Sequence, residues 1–289
     1  LNNQRKTVLD ASPPMDSGLE QFVVSANVAG YSLKVASLAN GNKVSYGDTS
    51  TLSLNRGDVG TIPVGFAVPG MKISGKGAFF VKSSAGAIGA GTVPANWAGK
   101  FFAFKATKGY ADFDVDVLPI DSDANVTIMF DSSDAAVDSA AVKRYQGKNF
   151  SLSSATPVVV RISSDSRILV HFNSSSYGGG YAPIPPADTT IFGVPAGQDF
   201  SVACLYDGTS LTISKSDGSS EAQTCGKGGS VNVTGFADGG SGMAVKVTAS
   251  APVGALTFDS TSANAAVALI PAHLAYRSFA VPTGAQWVR

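Results

Sequence analysis

Acidic side chains are concentrated in one stretch, YADFDVDVLPIDSDAN, and carboxylates are groups that could bind a metal ion. The first three aspartates alternate with apolar residues, so a β-strand would place them on one face. The next two continue with Asn125 as D-x-D-x-N, the opening half of a calcium loop, although the following glycine and the distal glutamate are missing. A calcium site would therefore have five candidate ligands: Asp112, Asp114, Asp116, Asp121 and Asp123. The alternative is that solvent or neighbouring Lys and Arg side chains balance these charges.

The chain has two histidines, and neither has the sequence context of a catalytic base. His171 lies in ILVHFNSS, where alternation turns Val170 and Phe172 inward and predicts an exposed His171. His273 lies in a connector. No G-x-S-x-G elbow, HExxH, paired CxxC or P-loop is present. We therefore expect no catalytic residue and no zinc site, and an unrecognised carboxylate pair within Asp112–Asp123 is the remaining enzyme hypothesis.

Cysteines and sequons indicate the compartment. Cys204 and Cys225 flank a stretch typical of a β-hairpin, which predicts a disulfide inside one module. Four N-x-S/T sequons stand at Asn125, Asn149, Asn173 and Asn232. Turns lie beside Asn149 and Asn173, where a glycan can project without burial. Together these features predict a secreted, disulfide-bonded glycoprotein.

Aromatic residues recur near the ends of the repeated segments described below. They are Trp97, Phe101, Phe102, Phe192, Tyr276 and Phe279. Flat rings could form a platform for sugars, or they could pack one module against the next. Their recurrence at the same place in each repeat favours packing.

Composition narrows the class of protein. Charged residues make up 15% of the chain, below the roughly 25% of an average soluble domain. The formal net charge is zero, so no basic field exists to attract a nucleic acid. No apolar run reaches the roughly 18 residues of a transmembrane helix, and we expect no membrane span.

An internal repeat is the most informative pattern in the chain. VRISSDSRILVHFNSS from Val160 parallels VKVTASAPVGALTFDSTS from Val245, and MKISGKGAFFVKSS from Met71 has the same start. Each copy carries one basic residue between two apolar ones: Lys72, Arg161 or Lys246. Each is followed by a connector that contains proline.

Two further segments align in the same way. GKNFSLSS from Gly147 matches GGSVNVTG from Gly228 as a strand led by glycine. We also align VTIMFDSSDAAVDS from Val126 with SVACLYDGTSLTISKS from Ser201, each as a strand, a turn and a second strand.

The repeat and the period-two alternation predict an all-β fold of three tandem β-sandwich modules joined by proline- and aromatic-containing connectors. The predicted organisation is an N-terminal arm at 1–20, module 1 at 21–104, module 2 at 105–195, and module 3 with a terminal strand at 196–289.

The repeated pattern resembles the N-terminal region of IgGFc-binding proteins, a family of large secreted proteins of mucus and matrix. The resemblance rests on DGTSLTI at Asp207, KVTASAPVGAL at Lys246 and IPAHLAYRSFAVPTGA at Ile270. It covers the third module best, the second less well, and the first only in strand spacing. The resemblance implies an extracellular adhesion, matrix or filament component, and immunoglobulin binding is not carried over.

These patterns predict an extracellular structural or adhesive protein, with a carbohydrate-binding module as the alternative. Expected partners are glycans, other matrix proteins and further copies of the chain. The polar arm and the strand-like QWVR at Gln286 could pair with neighbouring copies head to tail. The alternative is that the arm and the QWVR segment pack on the module to which each is attached.

Overall fold

A computed structural model gives the fold of the protein. It describes residues 21–24, 32–63, 65, 70–83, 92–106, 112–173, 181–193, 199–236, 243–258 and 268–274. The protein is all-β, as the alternating sequence predicts, and its strand pairings are antiparallel.

The strands form three structural repeats. Repeat 1 contains β1 (Gln21–Val24), β2 (Leu33–Ser37), β3 (Asn42–Tyr46), β4 (Ser50–Leu54), β5 (Val59–Ile62), β6 (Lys72–Gly75), β7 (Phe79–Ser83) and β8 (Thr92–Pro94). Repeat 2 contains β9 (Gly99–Ala106), β10 (Phe113–Pro119), β11 (Ala124–Phe130), β12 (Ala136–Val142), β13 (Lys148–Leu152), β14 (Val158–Asn173) and β15 (Tyr181–Ile184). Repeat 3 contains β16 (Asp188–Gly193), β17 (Asp199–Cys204), β18 (Thr209–Lys215), β19 (Ser220–Cys225), β20 (Ser230–Val233), β21 (Val245–Phe258) and β22 (Ile270–Pro271).

One strand order occurs in all three repeats. The first layer runs β4-β3-β6-β1, β12-β11-β14-β9 and β19-β18-β21-β16. The second layer runs β5-β2-β7, β13-β10-β14 and β20-β17-β21. In repeats 2 and 3 a single long strand, β14 or β21, therefore pairs in both layers, whereas repeat 1 divides that strand into β6 and β7.

The sequence explains where each long strand changes layer. In β14 the polar run Ser163–Ser166 separates two apolar halves, and the register against β9 shifts there. In β21 the register against β16 shifts beside Pro252, which has no N–H to donate to a ladder. In repeat 1 the buried Asn42 stabilises the turn between β6 and β7, because its side chain accepts from Gly77 N–H and donates to Gly77 O.

Each repeat has its own apolar core, to which both layers contribute. In repeat 1, Val35 from the second layer and Ile73 from the first are fully buried in the same cluster. In repeat 2 the rings of Phe104 and Phe172 meet edge to face, with centroids 5.2 Å apart. Burial of these residues on one side of each layer leaves the other side for polar residues or for contact with a neighbour.

Strand positions correct part of the sequence alignment. The segments aligned from Gly147 and Gly228 occupy the same position in the strand order, as β13 and β20. The segments aligned from Val126 and Ser201 do not, because they begin with β11 in the first layer and β17 in the second layer. Alternation alone could not detect this shift, since both strands have the same period.

Strand pairing also moves the first module boundary. The predicted boundary at 104/105 falls inside β9, which pairs with β14 and so belongs to repeat 2. The predicted boundary at 195/196 also assigns β16 to module 2, whereas β16 pairs with β21 and so belongs to repeat 3. The arm at 1–20 and the terminal strand at Gln286 lie outside the described residues. By compactness, repeat 1 with Tyr145–Gly147 forms one unit, and the rest of repeat 2 with repeat 3 forms a second.

Cys204 and Cys225 form a disulfide between the two layers of repeat 3. Cys204 ends β17, Cys225 ends β19, and their Cα atoms are 6.2 Å apart. Both side chains are buried in the core of the repeat. The bridge therefore anchors an edge strand to the opposite layer.

Replacing both cysteines by alanine should lower the free energy of unfolding by about 3 kcal/mol, because the bridge restricts the unfolded chain. Denaturant unfolding followed by circular dichroism measures this loss. As a control, dithiothreitol should destabilise the wild type and leave the double variant unchanged. Stoichiometric thiol labelling of the unreduced, denatured wild type would contradict the bridge.

Candidate functional site

The second half of the acidic stretch binds the protein's own cations. Asp121 accepts two hydrogen bonds from the Arg167 guanidinium, at 2.7 and 2.9 Å, and these hold the pKa of Asp121 below its usual value. Asp123 accepts from Lys143 Nζ at 2.7 Å, and this bond lowers its pKa. Asn125 donates to Asp165 at 2.7 Å. The D-x-D-x-N positions therefore do not converge as calcium ligands.

The first half of the stretch lies on the outer side of the second layer of repeat 2. Asp114 and Asp116 face outward from β10, while Asp112 precedes the strand and is exposed. We call this surface the polar face; its residues are Asp114, Asp116, Asn149, Ser151, His171 and Asn173. Within the described part of the chain, no three His, Cys, Asp or Glu side chains are grouped closely enough to hold a metal ion.

Asp116 is at the centre of the polar face. Its Oδ1 accepts from Asn149 Nδ2 at 2.9 Å, whereas its Oδ2 is buried without a hydrogen-bond partner. Burial raises the pKa of Asp116, the Asn149 bond opposes that rise, and the charge of Asp114 adds to it. The arrangement favours a carboxyl group that holds its proton to higher pH than an exposed aspartate does.

His171 lies opposite Asp116 in the pairing of β10 with β14. Alternation correctly turns its side chain away from the apolar core, but the prediction that it is exposed is wrong, because His171 is fully buried. Period-two alternation gives the face on which a side chain lies, and it carries no information about what covers that face. Asn173 and Asp116 on the same face are half-buried.

Asp116→Asn should stabilise the protein at neutral pH. A raised folded-state pKa means that folding favours the protonated carboxyl, so wild-type stability increases as pH falls through that pKa and is lower above it. The amide keeps an acceptor for Asn149 and cannot ionise, so the difference in melting temperature from wild type should be largest at pH 7 and shrink towards pH 4.

Asp112→Asn is the matched control, since Asp112 precedes the same strand and is exposed. Differential scanning calorimetry of wild type and both variants across this pH range measures the effect. A destabilised Asp116→Asn protein at pH 7 would contradict the assignment.

His273 contacts Asp188, and the sequence did not indicate this contact. Its Nδ1 contacts Asp188 Oδ2 and joins the short 3₁₀ turn Ala272–Leu274 to β16. A His–Asp pair can orient a catalytic imidazole, but Nε2 of His273 makes no hydrogen bond within the described residues. No nucleophile of the described residues is therefore hydrogen-bonded to this imidazole, and 85 residues separate His273 from Asp188.

The predicted aromatic residues do not form one surface. Trp97 and Phe102 are buried, so neither ring can cover a sugar, while Phe101 is 48% exposed and Phe192 is half-buried. Tyr276 and Phe279 lie outside the described residues. Phe102 packs in the apolar core of its own repeat, whereas the prediction was packing between modules.

The four sequons differ in accessibility. Asn125, Asn149 and Asn232 have exposed side chains, whereas Asn173 is half-buried and its Oδ1 is enclosed. Asn232 accepts through its oxygen from Lys105 Nζ at 3.1 Å and from Ser201 Oγ at 2.8 Å. Accessibility therefore favours a glycan at Asn232 more, and at Asn173 less, than the sequence suggested.

Repeats 2 and 3 are joined through an apolar contact. Ala103 and Val159 of repeat 2 are buried against Ala203 and Leu205 of repeat 3. A Cβ atom on Gly254 would overlap the carbonyl oxygen of Ala103, so glycine allows the backbones of β21 and β9 to touch. We call this contact the junction.

A buried arginine lies at the junction. Arg161 is 4% exposed, and its guanidinium donates to the carbonyl oxygens of Asp131 and Ser133. Asp134 pairs with Arg161 and with Lys227 of repeat 3, and the Lys227 bond lowers the pKa of Asp134. The corresponding basic residues of the other repeats, Lys72 and Lys246, are exposed. The same sequence position is therefore buried in repeat 2 and exposed in repeats 1 and 3.

Gly254→Ala should destabilise repeats 2 and 3 by about 1–3 kcal/mol, because the added methyl group meets backbone and the junction must open. Gly226→Ala is the matched control in the same repeat, since a Cβ there has only Asp207 Oδ1 nearby, at 3.5 Å. Calorimetric unfolding of both variants measures the difference. If Gly254→Ala and Gly226→Ala had equal free energies of unfolding, repeats 2 and 3 would not depend on close contact at the junction.

Comparison of the chain with protein-family models, curated proteins and solved structures found no match. Among the described residues, no helix is long and apolar enough to cross a membrane.

Proposed function

We propose that this chain is an extracellular structural or adhesive protein that assembles with further copies of itself. The observation that carries the proposal is the junction, where apolar burial, a buried arginine and a close backbone contact fix two repeats to each other. A protein that bears load or spaces binding partners needs such fixed spacing between its repeats.

Two further features support the extracellular part of the proposal. The disulfide is buried in the core of repeat 3, and bridges of this kind persist in oxidising compartments. Three of the four sequons have exposed side chains. The resemblance to IgGFc-binding proteins of mucus and matrix points in the same direction, and its DGT segment forms the turn from β17 to β18.

Low charge supports assembly. The chain has zero net charge, so copies approach without long-range repulsion. We propose that the arm at 1–20 or the strand-like QWVR adds a strand to a neighbouring copy. Contacts of that kind run head to tail and give a filament when they do not close into a ring. Glycans and other matrix proteins are the further partners we propose.

Electron microscopy and light scattering of the purified native protein test this proposal. We expect concentration-dependent assemblies that are lost on deletion of Leu1–Gly18 or of Gln286–Arg289, because each deletion removes a segment that could pair with a neighbour. Gly226→Ala, which leaves both ends intact, serves as the control. A wild type that stays monomeric at high concentration, or assemblies larger than a dimer that survive both deletions, would contradict it.

A further inference from the structure

We infer that β19 is a docking edge through which two copies of this chain pair as antiparallel strands. Edge strands recruit other strands unless they are blocked. Among the strands that the structure describes, the fourth of each repeat, β4, β12 or β19, has a partner on one side only. The three edges differ in what protects them, and the comparison singles out β19.

The edge β4 pairs continuously with β3 and has no disulfide to the opposite layer, whereas the edge β12 is protected. In β12 the pairing with β11 shifts register beside Val137, and a bulge of this kind twists an edge away from partners. The Asp138 carboxylate also accepts the Ser139 N–H at 2.7 Å, which places a charge on the outer edge of that strand.

The β19 edge has no register shift, and Glu221 is the one charged residue of the strand. Its pairing with β18 is continuous from Thr209↔Cys225 to Ser214↔Ser220, and every β19 residue before Cys225 is exposed. The disulfide at Cys225 fixes the end of the strand to the opposite layer. A flat, anchored strand loses little conformational freedom when it pairs.

The outward hydrogen-bonding groups of β19 follow from the ladder. Lys215 N–H donates to Ser219 O, so the odd-numbered residues of β18 face β19. Glu221 and Gln223 are opposite Ile213 and Leu211, and their backbone groups therefore point to β18. The backbone groups of the alternate residues point outward: Ser220, Ala222 and Thr224.

One two-fold register satisfies both hydrogen bonding and charge. With Ala222 opposite Ala222 of the second copy, Ser220 lies opposite Thr224, and three outward residue pairs can form about six hydrogen bonds. Glu221 then lies opposite Gln223, whose amide can donate to the carboxylate. A shift that centres the pair on Glu221 would instead oppose two carboxylates, which is unfavourable. Zero net charge on the chain adds no barrier to approach.

This inference goes beyond the proposed function, because it needs neither chain end. A β19 pair should persist in protein that lacks Leu1–Gly18 and Gln286–Arg289, whereas the proposed head-to-tail assembly should not. Loss of the β19 dimer would therefore not count against head-to-tail assembly, and loss of head-to-tail assembly would not count against the β19 dimer.

Ala222→Pro should weaken dimerisation about tenfold in sedimentation equilibrium, because proline removes an outward donor and none of the β18 bonds. Ala141→Pro is the matched control, since Asn125 N–H faces Asp165 on the β14 side, so Ala141 N–H is outward on the protected edge β12. Dimerisation of Ala141→Pro should equal that of wild type. A monomeric wild type, or equal effects of the two prolines, would overturn the inference.

A charge pair tests the register. Gln223→Lys should tighten the dimer at low salt by placing an ammonium opposite Glu221, and Gln223→Glu should weaken it. If the proline variant does not fold, Ala222→Cys decides, because facing Cα atoms about 5.5 Å apart can form a disulfide. Oxidised Ala222→Cys protein should run as a covalent dimer, and Ala141→Cys as a monomer. Absence of cross-linking, or tightening by both charge variants, would reject this pairing.

Discussion

The long strand shared by two layers is the constraint on which the rest of the structure depends. β14 hydrogen-bonds to β11 and β9 along its first half and to β10 and β15 along its second, so both layers of repeat 2 are fixed by one chain segment. β21 does the same in repeat 3. Because side chains alternate along a strand, fixing this one segment also fixes which residues face the core and which face outward.

The outward residues then decide what each face can do. In repeat 3, Ala203 lies opposite Gly254, and these small residues allow the second layer to touch repeat 2. In the same layer of repeat 2, Asp116 lies opposite His171 and the face is polar. One backbone framework therefore supports an apolar junction in one repeat and a titratable surface in the other, and side-chain size and charge account for the difference.

Edges provide a third kind of surface on the same framework. A bulge and Asp138 protect β12, whereas β19 is regular and is held at one end by the Cys204–Cys225 bridge. The disulfide thus has two consequences: it stabilises the core of repeat 3 and it orders the outer strand of that repeat. A chain with few charges depends on such local features to control self-association, because long-range repulsion is weak.

The sequence by itself determined the all-β class, the inward residues of each strand and the pairing of its two cysteines, because alternation and short-range spacing are local properties. Tertiary structure alone decided that His171 and Arg161 are buried, that His273 meets Asp188, and that β9 belongs to repeat 2. Tertiary structure also divided the acidic stretch into two parts with different surroundings. Arg167 and Lys143, from distant positions in the chain, bind Asp121 and Asp123, whereas Asp114 and Asp116 lie on the polar face. Each of these outcomes depends on residues far apart in the chain. A pattern among residues that are neighbours in sequence cannot indicate which distant segment will cover a given side chain or pair with it.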